Sequence, residues 1–157
     1  MDANATKPSK KAWVVKSGAR EPLAVVGKRV TVLADEQATG GPELFLGTGP
    51  EGTGERPHSH PHDEAIYVLE GQIEYLVPGE EPATVSAGEL VYGPGGSVHG
   101  FQVKGPQAKY LMINFGGGAS AFYAEMHREV GDVPNVPKIV ELLIKHGGKP
   151  ALPPPAK

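Results

Sequence analysis

The chain has 157 residues, about the length of one domain, and a formal net charge of −3. This charge gives no electrostatic reason to expect nucleic acid or an anionic membrane as a partner. The absence of cysteine excludes disulfides, iron–sulfur clusters and thiol nucleophiles. Glycine (22 residues) and proline (16 residues) are abundant beside 39% hydrophobic residues, which predicts a compact fold with many tight turns.

Short β-type segments separated by turn residues fill most of the chain. Residues 1–11 are polar and lack periodicity, so they are predicted to form a flexible arm. The many short segments of residues 12–115 favour a sandwich or barrel over alternating strands and helices. The predicted strands are Trp13–Val15, Arg29–Leu33, Glu43–Leu46, Ala65–Leu69, Gln72–Val77, Ala83–Val85, Leu90–Tyr92, Val98–Val103 and Lys109–Phe115. The fourth and fifth of these are predicted to pair through a tight turn at Gly71.

After the last strand the spacing of apolar residues changes and predicts two short helices within residues 116–157. The first is expected to be capped by Ser120 and ended by Gly131, and the second to run from near Asn135 to Gly147. Both are predicted to pack on the outside of the barrel, clear of any interior cavity, and to be followed by a proline-rich tail. Their apolar faces are formed by Phe122, Met126 and Val130 in the first helix, and by Val136, Ile139, Val140 and Leu143 in the second.

Four of the six histidines fall in two places. His58, His60 and His62 lie in one short segment, followed by Glu64, and His99 follows a glycine-rich turn. In an extended segment His58 and His60 share a face, because strand side chains alternate. Imidazoles with a nearby carboxylate suit iron, manganese, cobalt, nickel, copper or zinc. The pattern therefore predicts one divalent transition metal ion per chain, the alternative being a histidine-rich surface loop.

These residues resemble the two sequence motifs of the cupin superfamily. The matching positions are Gly52, His58, His60, Glu64 and Gly71 in the first motif, and Gly88, Pro94, Gly96 and His99 in the second. Val103 stands where the family has asparagine, so a polar support typical of the family is absent. The resemblance implies an all-β, jelly-roll barrel holding one metal ion inside it. The ligands that it implies are His58, His60, Glu64 and His99.

The other histidines are interpreted separately. His62 has the same parity as His58 and His60 and could replace one of them, but the spacing to Glu64 favours His58 and His60. We expect His62 at the rim of the site, where it could orient a ligand or carry a proton. His127 and His146 are expected to be solvated or helix-capping residues.

The predicted cavity is mainly apolar, which suits a flat or aromatic small molecule. Arg56 is the basic residue expected near the ligands, so the sequence predicts no cluster of cations that would bind an anionic substrate. Residues with the parity of the ligands, predicted to point inward, are Ile66, Val68, Phe101 and Val103. Further candidates for the lining are Phe45, Tyr92 and Met112.

A looser similarity to the quercetinase-like bacterial monocupins implies a dioxygenase that cleaves a flavonol or related enol with molecular oxygen. In that reading Glu64 is also the general base. The rival hypotheses are a metal-dependent isomerase or lyase and a non-enzymatic cupin that binds a small molecule. The resemblance further suggests a homodimer joined through N-terminal strands. No apolar run approaches the ~18 residues of a membrane span, so we expect no membrane partner and a cytoplasmic location.

Overall fold

The computed structural model describes residues 11–151 of the chain. Residues 1–10 of the predicted arm and 152–157 of the predicted tail lie outside the described residues. The strands are β1 (Leu23–Val25), β2 (Lys28–Ala34), β3 (Glu43–Pro50), β4 (Gly54–Ser59), β5 (Asp63–Leu76), β6 (Ala83–Ser86), β7 (Leu90–Gly93), β8 (His99–Phe115) and β9 (Lys149–Pro150). The helices are α1 (Glu36–Thr39), α2 (Ala119–Glu129) and α3 (Val136–Lys145). The prediction of a mainly β, jelly-roll type fold with two C-terminal helices is confirmed.

The 17-residue strand β8 organises the sheet. It pairs antiparallel with β3, β4 and β5, while β5 also pairs with β6 and β7. Because β8 is so long, its two ends meet different partners. His99 at its start lies opposite His58 of β4, and Asn114 near its end lies opposite Glu64 of β5. One strand therefore aligns the two motif segments.

The predicted hairpin at Gly71 is wrong. β5 continues through this position, and Gly71 lies within the second of two irregularities in its pairing with β8, the one between Glu70 and Gln72. The backbone there has φ of +75°, and a Cβ would overlap the carbonyl oxygen of Gln107. A bulge and a tight turn both require a residue that tolerates positive φ and close backbone approach, so they share the same glycine signal. The residues between the predicted strands Val98–Val103 and Lys109–Phe115 likewise belong to one continuous strand, β8.

Within the described part of the first 60 residues, the structure lacks one predicted strand and has two strands that the sequence analysis did not predict. Trp13–Val15 forms no strand, and β1 and β4 were not among the predicted strands. β1 is three residues long and β4 carries proline and a pairing irregularity, so neither has the regular alternation that identifies a strand.

The inward-facing apolar residues form the core as predicted. The predicted residues that are at most 2% exposed are Phe45, Ile66, Val68, Phe101, Val103 and Met112. Tyr92 is a wrong prediction, since it is 49% exposed and its hydroxyl donates to Asp63. The end of β7 lies at the sheet surface, where an aromatic ring can satisfy a polar partner in solvent.

Ser120 does not cap α2. The cap residue is Gly118, and the carboxylate of Glu43 in β3 accepts the backbone N–H of Ala119 (2.8 Å) and the hydroxyl of Ser120. A buried carboxylate from a neighbouring strand thus satisfies the free N–H groups of the helix and complements its dipole. α3 begins where it was predicted to begin, and Asn135 is its N-cap. No helix among residues 11–151 is long and apolar enough to cross a membrane.

Candidate metal centre

Three histidines converge at one end of the barrel. His58 lies in β4, His60 follows that strand, and His99 begins β8. One ring nitrogen from each lies within 4.8 Å of those of the other two. His60 is 9% exposed and His99 2% exposed, so the cluster is largely withdrawn from water.

Each of these three rings makes a backbone contact that fixes its tautomer. A carbonyl oxygen can only accept a hydrogen bond, so the Nδ1 atom facing it carries a proton, and in a neutral ring Nε2 then keeps the lone pair. Among the described residues, Nε2 of His60 and Nε2 of His99 are buried without a hydrogen-bond partner. The contacts run from Nδ1 of His58 to the carbonyl of Arg56 (2.9 Å), of His60 to that of His62 (2.8 Å), and of His99 to that of Ser97 (3.1 Å).

The carboxylate of Glu64 faces two of these nitrogens. Its Oε2 lies 3.8 Å from Nε2 of His60, and its Oε1 lies 3.7 Å from Nε2 of His99. Burial and the negative charge of Glu55 raise the pKa of Glu64 to about 8. Burial, together with the neighbouring histidines, lowers the pKa of His99 to about 4 and shifts that of His60 in the same direction.

These side chains fit a divalent transition metal ion. Neutral imidazoles whose second nitrogen donates to a backbone carbonyl have the arrangement of metal ligands. Without an ion, the buried Nε2 atoms of His60 and His99 have lost their water and gained no partner, which is unfavourable. The structure thus brings together the four residues that the motifs predicted: His58, His60, Glu64 and His99.

Glu55 of β4 is a member of this site that the sequence did not reveal. Its Oε2 lies 3.9 Å from Nε2 of His58, while its Oε1 pairs with Lys28 and accepts the hydroxyl of Tyr123 (2.8 Å). Burial would raise the pKa of Glu55, but the charges of Lys28 and His58 and the hydrogen bonds lower it to about 2. The irregularity in β4 between Glu55 and His58 breaks the strict alternation, so parity gave no signal.

The basic side chain near the ligands is Lys28 and not Arg56, so the expectation for Arg56 is wrong. Lys28 is 2% exposed, and its ammonium lies 5.4 Å from the ring centre of Phe101 and 5.5 Å from that of Tyr123. The side chain of Arg56 is exposed, and its carbonyl contacts His58. The buried cation of the site is therefore Lys28.

His62 lies beside the cluster. Its ring stacks on that of His60, with centroids 4.0 Å apart, and its carbonyl contacts Nδ1 of the same ring. Burial and the nearby histidines lower the pKa of His62 to about 4. In the structure it forms part of the cavity wall.

A cavity of about 50 Å³ adjoins the histidines and is lined in part by the C-terminal helices. The expectation that the helices leave the cavity clear is wrong. β9 pairs with β4 so that Pro150 lies opposite His58, which draws α3 over the opening. His146 is the C-cap residue of α3, which agrees with the capping role expected of it, and its half-buried ring also places Nε2 2.9 Å from Glu125. The lining residues from the helices are Phe122, Tyr123, Leu143 and His146.

Asn114 is another cavity residue that the sequence did not single out. It is 2% exposed, and its Oδ1 has no hydrogen-bond partner among the described residues. Its position opposite Glu64 places a buried polar acceptor in the wall beside the candidate metal centre.

Comparisons with known proteins agree with this architecture. A family model described as a cupin domain matches residues 45–114. The polyketide cyclase RemF from Streptomyces resistomycificus is 23% identical, with 67% of this chain and 80% of that chain covered and a TM-score of 0.58. A predicted oxalate decarboxylase from Thermotoga maritima is 18% identical (66% and 99% covered, TM-score 0.61), and KdgF from Halomonas sp. is 22% identical (60% and 85% covered, TM-score 0.54). These likenesses concern the fold. A search of curated proteins finds no match.

Proposed function

Because residues 45–114 match the family model of a cupin domain, we propose that this protein is an enzyme dependent on one divalent transition metal ion. The proposed ligands are His58, His60, Glu64 and His99. The observation that carries the proposal is the meeting of lone-pair nitrogens with carboxylate oxygens in one buried place. A metal ion bound there would supply a Lewis acid that stabilises negative charge on a substrate oxygen.

Glu64 is the proposed general base. Without an ion, burial together with the charge of Glu55 raises the pKa of Glu64 to about 8, so this carboxylate readily takes up a proton when it is released from the ion. Among the described residues, no side chain donates a hydrogen bond to the carboxylate of Glu64, whereas the carboxylate of Glu55 is held by Lys28 and Tyr123. Glu64 is therefore the carboxylate better placed to accept a substrate proton.

The cavity favours a small substrate. Its volume of about 50 Å³ is well below the roughly 300–1,000 Å³ of pockets that bind drug-sized ligands. Phe122 and Leu143 give it an apolar wall, and the buried Oδ1 of Asn114 can accept a hydrogen bond from a substrate hydroxyl. We propose a small enol, such as the enol form of a β-diketone, cleaved with molecular oxygen. A flavonol would require the helices to move aside.

One observation favours a second candidate, a metal-dependent isomerase or lyase. His146 lies in the wall formed by the helices, and its Nε2 contacts Glu125 at 2.9 Å, which orients the ring. An isomerase needs one group that removes a proton and another that returns it. Glu64 and His146 could divide these roles without any oxygen chemistry.

The metal centre is tested by loading the purified protein with each candidate metal and counting ions per chain by mass spectrometry. We expect about one ion per chain. His60→Ala should lose the ion, and His62→Ala is the matched control that should retain it. Full retention by His60→Ala, with loss by His62→Ala, would overturn the ligand assignment.

The reaction is tested with an oxygen electrode, using small β-diketones and flavonols as substrates. Glu64→Gln should lower turnover per bound metal by ~10²–10⁴-fold if it removes the general base. Anaerobic deuterium exchange at the acidic carbon, without oxygen uptake in air, would favour the isomerase or lyase. Binding without exchange or uptake would indicate a non-enzymatic binding protein.

A further inference from the structure

We infer that Glu55 is a second carboxylate of the metal centre, so that the chain offers the ion three imidazoles and two carboxylates. The inference rests on the metal centre proposed above and adds a ligand that the sequence motifs do not contain. Its basis is the position of Oε2 of Glu55, the oxygen that its hydrogen-bond partners leave free.

Glu55 is placed relative to His58 as Glu64 is placed relative to the other two histidines. The distance from Oε2 of Glu55 to Nε2 of His58 is 3.9 Å, against 3.8 Å and 3.7 Å for the two contacts of Glu64. Glu55 also lines the same cavity. Each of the three Nε2 atoms therefore has a carboxylate oxygen at a similar distance.

Oε2 of Glu55 and Nε2 of His58 do not satisfy each other, because their separation of 3.9 Å is too long for a hydrogen bond. Nδ1 of His58 faces the carbonyl of Arg56, so Nε2 is the ring nitrogen left to bind an ion beside the carboxylate. An ion placed between them would give both atoms a partner.

The other oxygen of Glu55 is fixed by groups behind the site. Oε1 pairs with Lys28 and accepts the hydroxyl of Tyr123, which leaves Oε2 directed at the histidines. Lys28 also balances the charge. A divalent ion, two carboxylates and the ammonium of Lys28 together carry one net positive charge. A divalent ion with one carboxylate and no lysine carries the same net charge.

The experiment uses Co²⁺ as the probe, because its visible absorption depends on the number of ligands and requires no turnover. The main variant is the double substitution Lys28→Met with Glu55→Gln, which removes both buried charges together. Glu74→Gln is the matched control, since that carboxylate contacts Gln102 and Lys104 away from the centre. Circular dichroism establishes that each variant is folded.

We expect the double variant to bind Co²⁺ about 10–100-fold more weakly and with an altered visible spectrum, while Glu74→Gln matches the unsubstituted protein. Wild-type affinity and spectrum in the double variant would overturn the role of Glu55. Failure of the unsubstituted protein to bind Co²⁺ would overturn the metal centre itself. If the double variant does not fold, a crystal structure of the Co²⁺-loaded protein decides. An ion-to-Oε2 distance near 2.0–2.2 Å supports the inference, and one beyond about 3 Å overturns it.

Discussion

Replacing Leu142 by alanine should destabilise the protein, because it weakens the packing of α3 against the core. Leu142 is 1% exposed, although it lies on a helix whose first residue, Val136, is 51% exposed. Truncating a fully buried leucine costs about 2–5 kcal/mol, because the lost transfer energy adds to that of the cavity left behind. For a chain of this size each kcal/mol lowers Tm by about 2–4 °C, so a loss near 3 kcal/mol corresponds to about 6–12 °C.

The assay is thermal unfolding followed by circular dichroism, with a chelator present so that bound metal does not add stability. Ile144→Ala is the control on the same helix. Ile144 is 57% exposed, and its truncation should change stability by no more than about 0.5 kcal/mol. Equal losses of Tm in the two variants would refute the packing argument, since they would mean that α3 is not held by its buried face.

Three further predictions concern the site and the sheet. Metal affinity should rise with pH until about 8, because burial and a neighbouring carboxylate raise the pKa of Glu64 to about 8 and the ion must displace that proton. Calorimetry in two buffers at pH 7 should count about one proton released per ion, and almost none in Glu64→Gln. Gly71→Ala should lose about 1–3 kcal/mol in denaturant unfolding, since φ there is +75°; an unchanged midpoint would contradict this. Truncation after Gly148 removes β9 and should weaken metal binding severalfold by freeing His58, whereas truncation after Ala151 should not.

The sequence was most informative where function fixes the spacing of residues. Two histidines separated by one residue, a carboxylate four residues later and a third histidine beyond a glycine turn, together with the resemblance to the cupin motifs, predicted the residues that converge. Burial of the apolar residues sharing their parity followed from strand alternation alone. Both inferences depend on regular strands, and both hold where β5 and β8 are regular.

The predictions failed where regular periodicity is interrupted. Glu55 and His58 differ in parity, yet the irregularity in β4 brings both to the same site. Gly71 carried a turn signal that a bulge uses equally well. The face of α3 was assigned from periodicity, which cannot show that β9 pairs with β4 and turns Leu142, rather than Val136, towards the core.

The register of β8 has a consequence for how the molecule folds. The pairs that build the site, His58 with His99 and Glu64 with Asn114, join segments far apart in the sequence. Closing such long loops lowers the chain entropy before the contacts can stabilise the fold, so contacts of this kind form late and slowly. β9 pairs with β4 at His58 and follows every other described strand in the sequence, so it leaves the ribosome after them. Until these segments have paired, the chain has scattered imidazoles rather than a binding site, and we therefore expect the ion to be captured by a barrel that is already closed.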